Sequence, residues 1–283
     1  MVTILSISSI ASMVLQNGLF NSMCKNELKT NDHKYRFNMI MYAVCILLFA
    51  IGLINGEISL FTVLLGVVFG VVTALSNLYK MRALSDGPMH ITLLITTSSM
   101  IIPAISGVFF AEAFSIYKLL VMAALLGFIY LSFDKKKGER MNGKWLLCVS
   151  LAFVLQGSIG VLQKVHQASE HKSELSAFLF VAFLCSLAYS RIRAKSGFKA
   201  LGFGKKHVLF GIACGVCTYL MNIINLHLSG VLPSQLFFPL INGSAIILSS
   251  LTSIFIFKER ITKKQLVGLV GGIASLVAIC LVN

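Results

Sequence analysis

The sequence predicts an all-helical integral membrane protein of ten transmembrane helices, built as two inverted five-helix repeats. Three observations predict it: ten apolar runs of spanning length, basic residues concentrated in alternate connections, and a residue pattern that returns after 145 positions.

Apolar residues make up 57% of the chain and charged residues 12%, with a mean hydropathy of +0.88. A soluble domain of 283 residues with that balance would expose large hydrophobic patches, so a lipid environment is implied. A spanning helix needs about 20 mainly apolar residues. Breaks at charge clusters, Gly and Pro divide the chain into runs at Thr3–Met23, Phe37–Ile54, Leu60–Tyr79, Ile91–Phe110, Ile116–Phe133, Lys144–Gln163, Leu175–Ser190, His207–Leu228, Gln235–Phe257 and Gln265–Val282. The first run has no basic stretch before it and is long enough to span, so it is expected to be a helix rather than a cleaved signal. Trp145, beside Lys144, is expected to anchor its helix at the interface.

The formal charge of +14 would suggest nucleic acid in a soluble protein, but the basic residues sit in clusters between apolar runs, where they orient the chain in the membrane. Alternate connections carry 21 of the 24 Lys and Arg, from the Lys25–Arg36 cluster through Lys80 and Arg82 to Lys263 and Lys264; Lys118, Lys164 and Lys172 fall on the other side. Basic loops are therefore expected in the cytoplasm and both termini outside, in a bacterial cytoplasmic membrane.

Shifting the chain by 145 residues lays Gly66, Gly70, Asn77 and Pro88 over Gly211, Gly215, Asn222 and Pro233, while Gln16 returns as Gln156 at a shift of 140. Residues 1–138 and 139–283 are the expected halves. Five helices per half put the second copy in the membrane upside down. Exchanging the conformations of two such halves turns an outward-open site into an inward-open one, so the expected function is secondary transport by alternating access. A channel or non-transporting scaffold on the same architecture is the alternative.

Polar side chains within spans face the bundle interior or a wet cavity. The candidate substrate contacts are Gln16, Asn17, Asn77, Tyr79, Gln156, Tyr219, Asn222 and Asn242, with Gln16/Gln156 and Asn77/Asn222 expected to meet a cavity from opposite sides. Amides both donate and accept, which suits a small polar or amphipathic metabolite; their other use is as bonds between helices. Pro103, Pro239 and Asn242-Gly243 are positions where a helix can bend or open. The acidic residues all fall in loops or at run ends, which disfavours proton-coupled export of lipophilic cations through a buried carboxylate. Cys214 and Cys217 have C-x-x-C spacing without a second pair, so packing is expected rather than a metal. No enzyme constellation, cofactor motif or catalytic residue is evident.

The closing pattern from Phe257 to Gly268, Phe-Lys-Glu-Arg-Ile-Thr-Lys-Lys-Gln-Leu-Val-Gly, followed by a Gly-rich apolar helix, resembles the drug/metabolite transporter superfamily and its EamA-like branch. The resemblance spans the chain, although the first copy around Glu112 lacks the bases. It implies a central cavity lined by helices 1, 3, 4, 6, 8 and 9. The expected partners are a small-molecule substrate and the lipid bilayer, with the protein a monomer or homodimer.

Overall fold

The protein, described here from a computed structural model, is defined at residues 1–54, 56–87, 89–131, 142–194, 204–257 and 262–281, with backbone alone at 89, 90 and 249–257. Pro88, the basic clusters at 135–140 and 195–199, and Glu259 within its Lys258–Ile261 surroundings lie outside the described residues. The helices are α1 (Val2–Asn26), α2 (Asn31–Leu53), α3 (Leu60–Asp86), α4 (Met89–Ser98), α5 (Ile101–Ser106), a 3-10 turn (Gly107–Phe110), α6 (Ile116–Leu131), α7 (Gly143–Gln167), α8 (Leu175–Arg193), α9 (Lys205–Val231), α10 (Ser234–Phe257) and α11 (Lys263–Leu281).

Eight helical segments are long and apolar enough to cross a membrane, and Ile116–Leu131 and Ser234–Leu248 are shorter apolar helices. Large aliphatic side chains such as Leu47, Leu64, Leu147, Leu184, Leu209 and Val270 point outward along them. Helices that satisfy their own backbone and present such a surface suit hydrocarbon, and the chain is an all-α integral membrane protein.

The fourth predicted run is broken between α4 and α5. Pro103 has no N–H for the Ser99 carbonyl, and Ile102 N–H donates to it instead at 3.0 Å. Ser99 and Met100 N–H likewise reach back three residues, to Thr96 and Thr97. Thr96 and Ser98 hydroxyls donate to the carbonyls of Thr92 and Leu94 one turn earlier, a competition with the backbone that bends helices.

Helix α3 runs to Asp86, well beyond the end of its apolar run at Tyr79. Nothing between Lys80 and Asp86 breaks a helix until Gly87-Pro88. Lys80 is therefore a helical residue only 9% exposed, and Lys34 lies inside α2 at 3%. Both are corrections to their placement in basic loops. Trp145 is a third correction: it is buried, its indole N–H donates to Thr92 Oγ1 at 3.0 Å, and its ring sits against Gly87.

Packing is dominated by contacts of α3 with α7 and α8, of α9 with α1 and α2, of α2 with α8, and of α6 with α11. Glycines set the closest approaches. A Cβ on Gly66 would meet Val181 and one on Gly70 the Ala182 carbonyl and Cys185, all on α8. A Cβ on Gly211 would meet Ile40 and one on Gly215 the Met41 carbonyl and Val44, all on α2. Ser186 donates to the Gly70 carbonyl at 2.7 Å, and Cys45 to the Gly215 carbonyl at 3.3 Å. The partners on α2 and α8 are 141 residues apart in every case.

One aromatic-rich core (Phe20, Phe37, Tyr42, Phe69, Phe183) fills the space between α1, α2, α3, α8 and α9. A more aliphatic one (Met100, Leu125, Phe237, Ile241, Ile247) joins α5, α6, α10 and α11.

Glu174, just ahead of α8, ties the start of that helix to the start of α3. Its Oε2 accepts from Ser59 N–H and Oγ–H, each at 2.9 Å, and its Oε1 lies 3.1 Å from His171 Nδ1. Burial works against its charge, but hydrogen bonds from Thr62, Ser59 and His171 outweigh it and hold the carboxyl at about 2, against an ordinary 4.5. A depressed carboxyl pKa contributes stability that is complete above the unfolded value and is lost as pH falls toward the folded one. The melting temperature of the purified protein is therefore expected to fall between pH 4.5 and about 2, and Glu174→Gln to flatten that fall. An unchanged acid limb in the variant would refute the assignment.

Candidate functional site

A cavity of about 60 Å³ lies between α1, α5, α7, α9 and α10, bordered by Phe237 and Ile241 of the aliphatic core. Five amides line it: Gln156 and Gln163 from α7, Asn222 and Asn225 from α9, and Asn242 from α10. They share a wall because 222 and 225, like 156 and 163, recur at helical spacing on one face. Residues Ser99, Met100 and Pro103 bring the α4–α5 break to the same cavity.

The amides are partly engaged. Gln156 Oε1 accepts from Ser76 Oγ at 3.1 Å, Asn225 Oδ1 accepts from Ser9 Oγ, and Asn222 and Asn242 each donate to a carbonyl one turn earlier, Thr218 at 2.8 Å and Phe238 at 2.9 Å. Among the described residues that leaves the Asn222 and Asn242 oxygens as acceptors, and Gln156 Nε2 and Asn225 Nδ2 as donors. A wall with both kinds of group can match a polar solute of either polarity.

Three of the predicted residues, Gln156, Asn222 and Asn242, line this cavity together. Gln16 lies close by, its Nε2 bonded to Thr218, whose carbonyl holds Asn222. Asn17 accepts from Lys80 Nζ at 2.8 Å. Asn77 donates to Tyr42 Oη at 2.9 Å and is not in the cavity wall, so the expected meeting of Asn77 and Asn222 is not realised in this arrangement. Tyr219 packs on Phe49 within the aromatic core, ring centroids 4.7 Å apart. Tyr79 packs on the Trp145 cluster beneath the Arg82 guanidinium, away from the other candidates.

Residues that sequence reasoning left out complete the region. Asn225 is visible in the sequence as the partner of Lys80 in the 145-residue register, and Gln163 as a polar residue in a span. Lys80 reads as a loop residue because apolarity ends one residue earlier. Nothing local distinguishes Ser99.

A cluster of polar contacts adjoins the cavity, made by residues between the 3-10 turn and α6. Ala111 takes a left-handed conformation, φ 54°, that turns the chain back and sets Glu112 against α7 and α10. Glu112 forms an ion pair with Lys164 and accepts from Ser234 N–H at 2.6 Å, at the start of α10, where a carboxylate is favoured by the helix dipole. Lys164 also donates to the Leu232 carbonyl at 3.2 Å, and Gln235 Oε1 accepts from Ser115 N–H at 2.9 Å. Gln163 and Phe237, neighbours of these contacts in sequence, line the cavity.

No known protein family matches the sequence, and no curated protein matches it. Solved structures do match, 28 chains in all. One, described only as "Crystal structure of protein", superposes with a TM-score of 0.70 over 99% of this chain and 96% of its own, at 13% identity. At that identity the match establishes a shared fold and nothing about function.

Proposed function

We propose that the chain is a ten-span secondary transporter of inverted-repeat design, similar to the EamA-like branch of the drug/metabolite transporters, that moves a small polar or amphipathic metabolite by alternating access. The observation that carries the proposal is the amide-lined cavity between α1, α5, α7, α9 and α10, with the Glu112–Lys164 pair joining the neighbouring ends of these elements. Amides with spare hydrogen-bonding groups inside a membrane protein are costly and mark solute pathways.

Inversion is supported by the way contacts come in mates. If α1, α2, α3, α4–α5 and α6 correspond to α7, α8, α9, α10 and α11, the α3–α7 contact maps onto α9–α1, α3–α8 onto α9–α2, and α1–α10 onto α7 with α4 and α5, while α2–α8 and α6–α11 map onto themselves. The glycine contacts of α3 on α8 and of α9 on α2 repeat residue for residue. In this orientation both termini face outward and the basic connections lie in the cytoplasm.

A volume of about 60 Å³ is small beside the roughly 300 Å³ or more of a typical ligand pocket, so cargo requires the helices to part. That requirement favours a carrier over a standing pore. The test is counterflow in proteoliposomes, with the solute chosen by thermal-shift screening of a metabolite library. A carrier shows saturable exchange, and Asn222→Ala or Gln156→Ala is expected to reduce it at least about 10-fold with the melting temperature unchanged. Non-saturable conductance, or variants that merely melt earlier, would defeat the proposal.

A further inference from the structure

We propose that Lys80 is the recognition point for an anionic group, a carboxylate or phosphate, on the solute. It would hold this group while the amides take the polar remainder. The inference rests on the transport proposal for calling the anion cargo; the anion site itself stands on the geometry of Lys80.

Lys80 is 9% exposed on a spanning helix, and its Nζ has one acceptor among the described residues, the neutral Asn17 Oδ1 at 2.8 Å. Below the ammonium lies the Phe20 ring, 5.8 Å away. No carboxylate of the described residues is paired with it. An ammonium carries three donors, so two are left for another acceptor. A buried cation in a membrane protein is costly unless an anion meets it, and a solute can supply that anion as well as a side chain can.

Its position fits this role. Ser76, one turn earlier on the same face of α3, holds Gln156 of the cavity, and Met13, one turn before Asn17 on α1, lines it. Lys80 and Asn17 thus lie one turn beyond the cavity toward the inner side. In the repeat register Lys80 corresponds to Asn225, Asn77 to Asn222 and Gln16 to Gln156, all three of which line the cavity. An exchange of conformations between the halves would therefore give the inward-facing cavity Gln16, Asn77 and Lys80 as its wall. Lys34, 3% exposed on α2, differs in having the Asp86 carboxylate among the charges that act on it. Asn38, one turn on from Lys34, is fully buried, and neither amide atom has a hydrogen-bond partner among the described residues.

The test uses the full-length protein in detergent at pH 7, with succinate, inorganic phosphate and neutral glutamine as probes in a thermal-shift titration. At least one anion is expected to stabilise the wild type, and the one that does identifies the group as carboxylate or phosphate. Lys80→Met should weaken that response about 10- to 100-fold, Lys80→Arg should largely retain it, and glutamine should act alike on all three. Asn17→Asp, which gives Lys80 an internal carboxylate, should abolish the anion response by itself and covers the case in which Lys80→Met does not fold. The proposal is overturned if neither anion stabilises the wild type, or if an anion stabilises Lys80→Met equally. Glutamine counterflow without any anion response would reject the anion site and leave transport standing. A Lys80-dependent anion response in a protein that exchanges no solute would do the reverse.

Discussion

Gly70→Val is expected to destabilise the bundle by about 3 kcal/mol or more, near or above the usual upper range for overpacking. A Cβ at this position runs into the Ala182 carbonyl oxygen and lies 2.9 Å from Cys185 Cβ, so the obstacle includes backbone on a neighbouring helix. A flexible side chain could swing aside, but a helical carbonyl moves only if α8 moves. Separation of the two helices would also break the 2.7 Å bond from Ser186 to the Gly70 carbonyl. Gly18, where an added Cβ meets nothing within 4 Å, is the control: Gly18→Ala should leave the melting temperature within a few degrees of wild type. Equal losses at the two sites would show that close packing is not what Gly70 provides.

Lys164→Met is expected to cost about 3–5 kcal/mol, the range for removing one partner of a buried ion pair. The two side chains are 8% and 18% exposed, and loss of the ammonium leaves the Glu112 carboxylate with the Ser234 N–H as its remaining described partner. The double variant Glu112→Gln/Lys164→Met should recover much of that loss, because neither charge is then left alone. Thermal unfolding of the four proteins in detergent gives the coupling directly, and strictly additive losses would show that the two charges do not act as a pair. If the cavity is a transport site as proposed, the double variant should also admit solute to it more readily, since it keeps the helices and removes the tie between them.

How far the sequence reveals the structure depends on whether the controlling interaction is local. Apolar runs are local, and the long helices lie close to where those runs fall. Lys80 is not recognised, because a transfer scale treats an ammonium as the end of a span while the backbone continues as helix to Asp86. The break after Ser98 depends on the missing N–H of Pro103, which the sequence shows, and on hydroxyls turning back to carbonyls, which it does not. Within the site, the amides of α7, α9 and α10 are found by asking which polar residues lie in apolar runs. Tyr79 and Tyr219 meet the same criterion but do not line the cavity. An aromatic ring with one hydroxyl is at home in a packed core, and these two lie against Trp145 and Phe49. Asn77 shows the limit of the register: two residues can correspond in the repeat and still face different surroundings, Tyr42 in one case and the cavity in the other.

The glycine contacts have a consequence for how such a carrier would have to move. Helix α3 is in backbone contact with α8, and α9 with α2, and each of these pairs joins one helix from either half of the chain. Surfaces that close leave no room to rock. The bodies that part to admit cargo would then be mosaics, each sewn from both halves, and a chain cut within residues 132–141 would yield two pieces of which neither contains a whole moving part.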